Sequence, residues 1–183
     1  MIGPISSNVA QYMTLNAFGK ALRKLVVEQQ TPKLVSSRKL SETPPFPFSR
    51  KTFKAVKTVF NLVACENEFE ARFARFLQDA PDITAFAKLP SQFGFAIEYT
   101  DSAASLRYYE PDFVAVLEDG SHRLIETKGR EDPDVAHKDR AAKLWCENAS
   151  SLTPREWAYL KVPQTGFEGL QPSSFTDLQV FEG

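Results

Sequence analysis

The chain has 183 residues, of which 43% are hydrophobic and 25% are charged, values typical of a globular protein with a single core. No apolar run approaches the roughly 18 residues of a membrane-spanning helix, and the N-terminus lacks the pattern of a secretion signal. The only two cysteines, Cys65 and Cys146, are too few for a four-thiolate iron–sulfur cluster, and we expect them to be reduced, buried thiols of a cytoplasmic protein.

The net charge of −1 conceals an asymmetry along the chain. Residues 1–60 carry ten Lys or Arg against two Asp or Glu, whereas residues 61–183 carry twelve against twenty-one. A basic segment beside an acidic domain suits an enzyme that binds nucleic acid, because the basic segment attracts phosphates. Two solvated surfaces without such a role explain the same counts equally well.

The first 50 residues have the composition of an arm. Apolar residues recur at near-helical spacing over residues 7–29, which predicts a helix. Residues 31–48 are rich in proline and serine, which indicates a linker or an extended segment. We therefore interpret residues 1–50 as a basic N-terminal arm that leads from a preceding domain of a larger protein.

A compact region follows over residues 51–165. Its predicted elements are an amphipathic helix at 67–77, a strand at 93–99, a hairpin of 112–117 and 123–127, a helix at 134–149 capped near Asp132 or Asp134, and a strand at 157–162. The tail after Pro163, including residues 166–183, is expected to be loop-like or frayed. This order predicts an α/β fold with a mixed central β-sheet flanked by helices.

The predicted hairpin carries two carboxylates and a lysine. Glu126 and Lys128 are two residues apart on a strand and therefore point to the same face. A two-residue turn at Asp119-Gly120 would send Asp112 to the opposite face, whereas an odd-length loop places Asp112 opposite Glu126 or Lys128. We therefore predict an odd-length loop or a bulge near residues 119–121. Both faces of the strands are apolar, which predicts helices on each side.

Carboxylates at the end of a covered strand are costly without a partner, and a metal ion supplies one. Mg²⁺ prefers oxygen ligands, so Asp112 and Glu126 fit as direct ligands with the Thr127 carbonyl as a third, and Mn²⁺ would substitute. Two carboxylates and a lysine suit a Mg²⁺-dependent phosphodiesterase. In such an enzyme Lys128 would orient or deprotonate the water that attacks the phosphate, or stabilise the transition state. The alternative is an ordinary hairpin closed by a salt bridge of Lys128 with one of the carboxylates.

Residues outside the hairpin could complete such a site. Glu70, on the helix at 67–77, is the candidate for a further acidic residue that holds a second metal or binds one through water, with Glu66 and Glu68 as rivals. All three could equally be exposed helix charges. Candidates for contacts with a nucleic-acid backbone are basic residues after the hairpin, namely Lys138, Arg130, Arg140 and Lys143. Lys138 is the first choice because it lies one turn into the helix.

The chain from about residue 56 to 162 resembles a known family. The matching segments are Thr58-Val-Phe-Asn61, Glu70-Ala-Arg-Phe73, Phe86-x-Lys88-Leu-Pro90, Pro111-Asp112-Phe113, Glu126-Thr127-Lys128-Gly129 and Trp157-x-Tyr159. They are similar to the C-terminal endonuclease domain of type III restriction enzyme restriction subunits, in the PD-(D/E)xK nuclease superfamily.

This resemblance implies a restriction endonuclease-like fold and Mg²⁺-dependent hydrolysis of DNA by Asp112, Glu126 and Lys128, with Glu70 as the helix glutamate. It also implies two partners, an ATP-dependent helicase or translocase domain and a modification methyltransferase subunit. No nucleotide-binding G-x-x-x-x-G-K-[ST] loop occurs in this chain. Cutting both DNA strands requires two sites, which makes a homodimer plausible.

Two other functions fit the same residues. The domain could be a catalytically silent DNA-binding or assembly module, although retention of all three hairpin residues argues against this. It could also be a nuclease of the same fold that acts on RNA or branched DNA.

Overall fold

The computed structural model describes residues 8–26, 31–103, 105–129 and 134–182. The helices in this part of the chain are α1 (Asn8–Val26), α2 (Glu68–Asp79), α3 (Val135–Leu152) and α4 (Gln164–Leu170). The strands are β1 (Thr52–Phe53), β2 (Val63–Ala64), β3 (Ile83–Lys88), β4 (Ile97–Thr100), β5 (Leu106–Tyr109), β6 (Phe113–Leu117), β7 (His122–Lys128) and β8 (Trp157–Pro163).

The central sheet has four strands in the order β3-β6-β7-β8. β6 pairs antiparallel with both β3 and β7, whereas β8 runs parallel to β7 after the crossover through α3. β1 and β2 form one small antiparallel sheet, and β4 and β5 form another. The predicted mixed central sheet is therefore confirmed.

Helices cover both faces of this sheet, as the apolar character of both strand faces predicted. On one face, α2 packs Phe69, Phe73 and Leu77 into a core that includes Phe113 and Ile125 of the hairpin. On the other face, α3 contributes Ala142 and Cys146 to a second core with Leu124 and Tyr159. Alternate residues of one strand thus enter different cores, as the two-residue period of a strand requires.

The first core helix begins at a strong cap. The Asn67 side chain accepts a hydrogen bond of 2.9 Å from the Glu70 backbone N–H, which satisfies one of the unpaired amides of the first turn. Phe69, Phe73 and Leu77 follow at helical spacing and are buried. α2 ends just before Pro81, in agreement with the sequence prediction.

Strand assignments ahead of the hairpin were partly wrong. The central sheet begins with β3, which the sequence patterns did not predict. Of the predicted strand at 93–99, only the second half is extended, because Ser91–Phe93 forms a short 3-10 helix that ends at Gly94 with φ of 72°. The remainder, β4, pairs with β5 in a separate hairpin.

The expectation of a loop-like or frayed tail after Pro163 was also wrong. α4 is followed by a 3-10 helix, Phe175–Phe181, and both pack on the α2 face of the sheet. Phe175 and Leu178 are fully buried there, and the Asp82 carboxylate accepts hydrogen bonds from the backbone of Phe175 and Thr176 at 2.7 and 2.8 Å. Tertiary burial and this cap order a segment whose glycines and prolines had suggested a loop.

The arm consists of the exposed helix α1 and the extended segment that follows it. Arg38 connects this segment to the core, because its guanidinium donates to the Phe93 carbonyl at 2.9 Å and lies over the Phe93 ring. Cys65 and Cys146 are buried free thiols, as expected. Among the described helices, none combines the length and the apolar character needed to cross a membrane.

Candidate active site

The register of the β6–β7 hairpin decides which side chains meet at the end of the sheet. Phe113 pairs with Ile125, so one further step along both strands places Asp112 opposite Glu126. This register requires a loop of three residues, 118–120, between Leu117 and Ser121. The predicted odd-length loop is therefore confirmed.

A glycine makes this loop possible. The Gly120 N–H donates to the Leu117 carbonyl at 3.0 Å, and the Leu117 N–H donates to the Ser121 carbonyl at 2.9 Å. Gly120 has a φ of 84°, in the left-handed region that a residue without a Cβ atom adopts at low cost. The turn at one end of the hairpin thus sets the position of Asp112 at the other end.

Asp112 immediately precedes β6, and donors hold its carboxylate in place. Its Oδ2 accepts hydrogen bonds from the Thr127 backbone N–H at 2.8 Å and from the Thr127 hydroxyl at 2.5 Å. Its Oδ1 accepts a hydrogen bond from Lys88 Nζ at 3.1 Å. The two halves of the motif are therefore joined through Thr127.

Glu126 is the second carboxylate of the site. Its Oε2 accepts a hydrogen bond of 3.0 Å from the Tyr109 hydroxyl. Burial, with a further contribution from the negative charge of Asp112, raises the pKa of Glu126 to about 8. Tyr109 and the cations Lys128 and Lys88 oppose this rise without cancelling it. A buried carboxylate that feels the charge of a second carboxylate favours a bound proton or a nearby cation.

Glu70 lies on the α2 side of Asp112. Its side chain is buried, in contrast to Glu66 and Glu68, whose side chains are 64% and 68% exposed. Glu70 Oε2 lies 3.6 Å from Lys88 Nζ, which also contacts Asp112. Of the three candidate glutamates, the structure therefore brings only Glu70 into the same charge cluster as Asp112.

Lys128 ends β7 and lines a small cleft beside Glu126. The cleft has a volume of about 10 Å³, room for roughly one water molecule. Its lining residues are Tyr109, Glu126, Lys128, Val135, Lys138, Asp139, Tyr159 and Lys161. Glu126 and Lys128 therefore lie on the same small cleft.

The structure separates the basic candidates on and before α3. Lys138, one turn into α3, lines the cleft beside Glu126. Arg140 and Lys143 are exposed and do not line the cleft. Arg130 lies outside the described residues.

Several residues of the site were missed by sequence reasoning. Lys88 and Tyr109 contact the two hairpin carboxylates directly, and neither was predicted as a site residue. Beyond them, Asp139 accepts hydrogen bonds from the Tyr159 hydroxyl at 2.8 Å and from Lys161 at 2.6 Å. The segment Phe86-x-Lys88-Leu-Pro90, one of those that resemble the family, was the signal that could have identified Lys88.

The donor set fits a small divalent cation. In the described part of the chain, no three His, Cys, Asp or Glu side chains are grouped as a complete metal site. Mg²⁺ needs no such group, because it commonly uses one or two carboxylates and keeps several waters. Asp112 and Glu126 supply the carboxylates, and a bound cation would offset the burial that raises the pKa of Glu126.

Comparison with known proteins identifies a family. A family model described as an endonuclease domain matches residues 56–159, which is more than half of the chain and contains Glu70, Lys88, Asp112, Glu126 and Lys128. No curated protein and no solved structure matches the chain significantly.

Proposed function

Because this chain belongs to the endonuclease domain family, we propose that it is a metal-dependent endonuclease that hydrolyses DNA phosphodiester bonds. The observation that carries the proposal is the position of Asp112 opposite Glu126, with Lys128 two residues further along the same strand. An endonuclease needs two acidic oxygens for a cation and a basic group near the attacking water. These three residues supply those groups at one end of the central sheet.

Asp112 and Glu126 would hold a Mg²⁺ or Mn²⁺ ion, with the Thr127 carbonyl as a third oxygen. The ion would lower the pKa of a water and stabilise negative charge on the scissile phosphate. Thr127 fixes the orientation of the Asp112 carboxylate through two hydrogen bonds. Tyr109 fixes Glu126 in the same way.

Lys128 is the proposed catalytic lysine. It lines the cleft beside Glu126, where a single water fits. From there its ammonium would orient the water or stabilise the charge that develops on the phosphate. Lys138, which also lines the cleft, would contact the backbone of the bound strand.

We further propose that the chain is the cleavage module of a type III-like restriction system in the cytoplasm. Its resemblance to the restriction subunits of such systems supports this proposal. The module would then work with an ATP-dependent helicase or translocase domain and a methyltransferase subunit, and residues 1–50 would form the junction to the motor. Base contacts are not needed in the cleavage module, so the isolated chain is expected to cut without sequence preference.

A plasmid-nicking assay tests the proposed activity. The purified chain should nick supercoiled DNA with Mg²⁺ or Mn²⁺, and EDTA should stop the reaction. Lys128→Ala should abolish nicking, whereas Lys54→Ala, which changes an exposed lysine far along the chain from the hairpin, should not. Equal nicking by the Lys128→Ala variant, or cleavage that survives EDTA, would contradict the proposal. A matched RNA substrate should remain intact.

A further inference from the structure

Lys88 is a buried cation for which the proposed mechanism has no role. It is the last residue of β3, and only 11% of its side chain is exposed. Its Nζ lies 5.5 Å from the centre of the Phe113 ring, which forms one side of its environment. A buried ammonium is costly unless carboxylates surround it.

Two carboxylates lie beside the Lys88 ammonium. Lys88 Nζ lies 3.1 Å from Asp112 Oδ1 and 3.6 Å from Glu70 Oε2, and the Glu70 side chain is only 7% exposed. Asp112 and Glu70 come from different elements, the start of β6 and the first turn of α2. Lys88 therefore connects the hairpin to the helix at the point where the site is assembled.

Glu70 has little capacity left for a metal ion. Its Oε1 accepts a hydrogen bond of 2.8 Å from the Asn67 side chain, and its Oε2 accepts one of 2.8 Å from the Glu66 backbone N–H. These donors belong to the start of α2, so they fix Glu70 as part of the helix cap. A divalent ion at Glu70 would have to displace the cap donors or Lys88.

We propose that Lys88 is a built-in second cation of the site, which takes the place that a second divalent ion would need between Glu70 and Asp112. This inference rests on the proposed nuclease function. In nucleases with two metals, the ions lie about 3.5–4 Å apart and share carboxylates. Here Lys88 shares Asp112 with the single divalent ion, Glu70 is a positioning residue for Lys88, and Glu126 is a ligand only of the divalent ion.

The stoichiometry of Mn²⁺ binding tests this proposal. Free Mn²⁺ is measured by electron paramagnetic resonance during titration of the whole chain without DNA. The wild type should bind one ion, and Glu70→Gln should still bind one ion. Glu66→Gln, which changes the exposed neighbour at the helix start, is the matched control and should behave in the same way.

Removing Lys88 gives a second, independent measurement. Lys88→Ala removes the charge and opens space between the two carboxylates, so this variant should bind two Mn²⁺ ions. The double variant Lys88→Ala with Glu70→Gln should bind one again. A gain of binding cannot result from unfolding, and circular dichroism checks that each variant is folded.

Three results would overturn the proposal. They are a wild type that binds two ions, a Glu70→Gln variant that loses an ion, and a folded Lys88→Ala variant that still binds only one. The nicking assay on the same samples distinguishes failure of the proposed role of Lys88 from failure of the proposed nuclease function. A wild type that nicks DNA and binds two ions would overturn only the role of Lys88, whereas one that neither nicks nor binds Mn²⁺ would overturn both.

Discussion

The Tyr109 hydroxyl donates a hydrogen bond of 3.0 Å to Glu126 Oε2, so a buried tyrosine orients one of the two carboxylates of the site. Tyr109→Phe removes this donor and keeps the ring in the core. Partners that orient a metal ligand typically contribute about 10–100-fold to metal affinity. We therefore predict that Tyr109→Phe weakens Mn²⁺ binding by about 10–100-fold, measured by calorimetry.

Tyr108→Phe is the control for this variant, because Tyr108 is the adjacent residue and is 66% exposed. It should bind Mn²⁺ as the wild type does. Equal Mn²⁺ affinity of Tyr109→Phe and wild type would show that the hydrogen bond to Glu126 has no role in metal binding.

Glu126 makes the metal-free protein less stable at alkaline pH. Its folded pKa of about 8 exceeds the reference value of 4.5, so the folded state holds a proton that the unfolded state releases. The free energy of unfolding should therefore fall as pH rises from about 4.5 to about 8. Glu126→Gln lacks this titration and should be more stable than wild type at pH 8 in EDTA, with a smaller difference at pH 5.

Urea denaturation at the two pH values measures this difference. Glu118→Gln, at an exposed position of the hairpin loop, is the matched control and should follow the wild type. Addition of Mn²⁺ at pH 8 should stabilise the wild type and leave Glu126→Gln unchanged. Parallel stability curves for wild type and Glu126→Gln would contradict the assignment of a buried, protonated Glu126.

Lys138 and Arg140 offer a comparison of two basic residues on the same helix. Lys138 lines the cleft, whereas Arg140 does not. Removal of a cation that binds a phosphate in the cleft should lower the slope of log K against log salt by about 1 and slow cleavage. We predict this result for Lys138→Ala, measured by fluorescence anisotropy with duplex DNA, and a smaller one for Arg140→Ala. A larger effect of Arg140→Ala than of Lys138→Ala would place the DNA on the outer side of α3.

Gly120 sets the hairpin register from the end opposite the site. A side chain at its φ of 84° is strained, so Gly120→Ala should lower the free energy of unfolding by about 1 kcal/mol. This substitution keeps the three-residue loop and therefore the register, so Gly120→Ala should bind Mn²⁺ as the wild type does. Urea denaturation measures the loss of stability, and a free energy of unfolding equal to that of the wild type would contradict the strain assigned to this position.

Local patterns were sufficient to predict much of the fold and the centre of the site. The apolar spacing of residues 67–77 predicted α2, and the two apolar strands around Asp119-Gly120 predicted the hairpin. The register followed from the requirement that Asp112, Glu126 and Lys128 share one face, and in the observed register Asp112 lies opposite Glu126. Each of these features depends on residues close together in the chain.

The parts that were missed depend on distant contacts. β3 contains two alanines, so its alternation is weak, and pairing with β6 makes it a strand. The tail is ordered by burial of Phe175 and Leu178 against residues about 100 positions earlier. Lys88 joins the site through contacts with Asp112 and Glu70. These residues belong to β3, the start of β6 and α2, and no spacing in the sequence predicts that the three elements come into contact.

The most direct test of the account is single-turnover nicking of supercoiled DNA by Asp112→Asn in Mn²⁺. Asp79→Asn, at the exposed end of α2, is the matched control because it makes the same chemical change outside the site. We predict that Asp112→Asn is folded, binds Mn²⁺ weakly and does not nick, while Asp79→Asn nicks at the wild-type rate. Nicking by Asp112→Asn at the wild-type rate would contradict the assignment of this site as the nuclease centre.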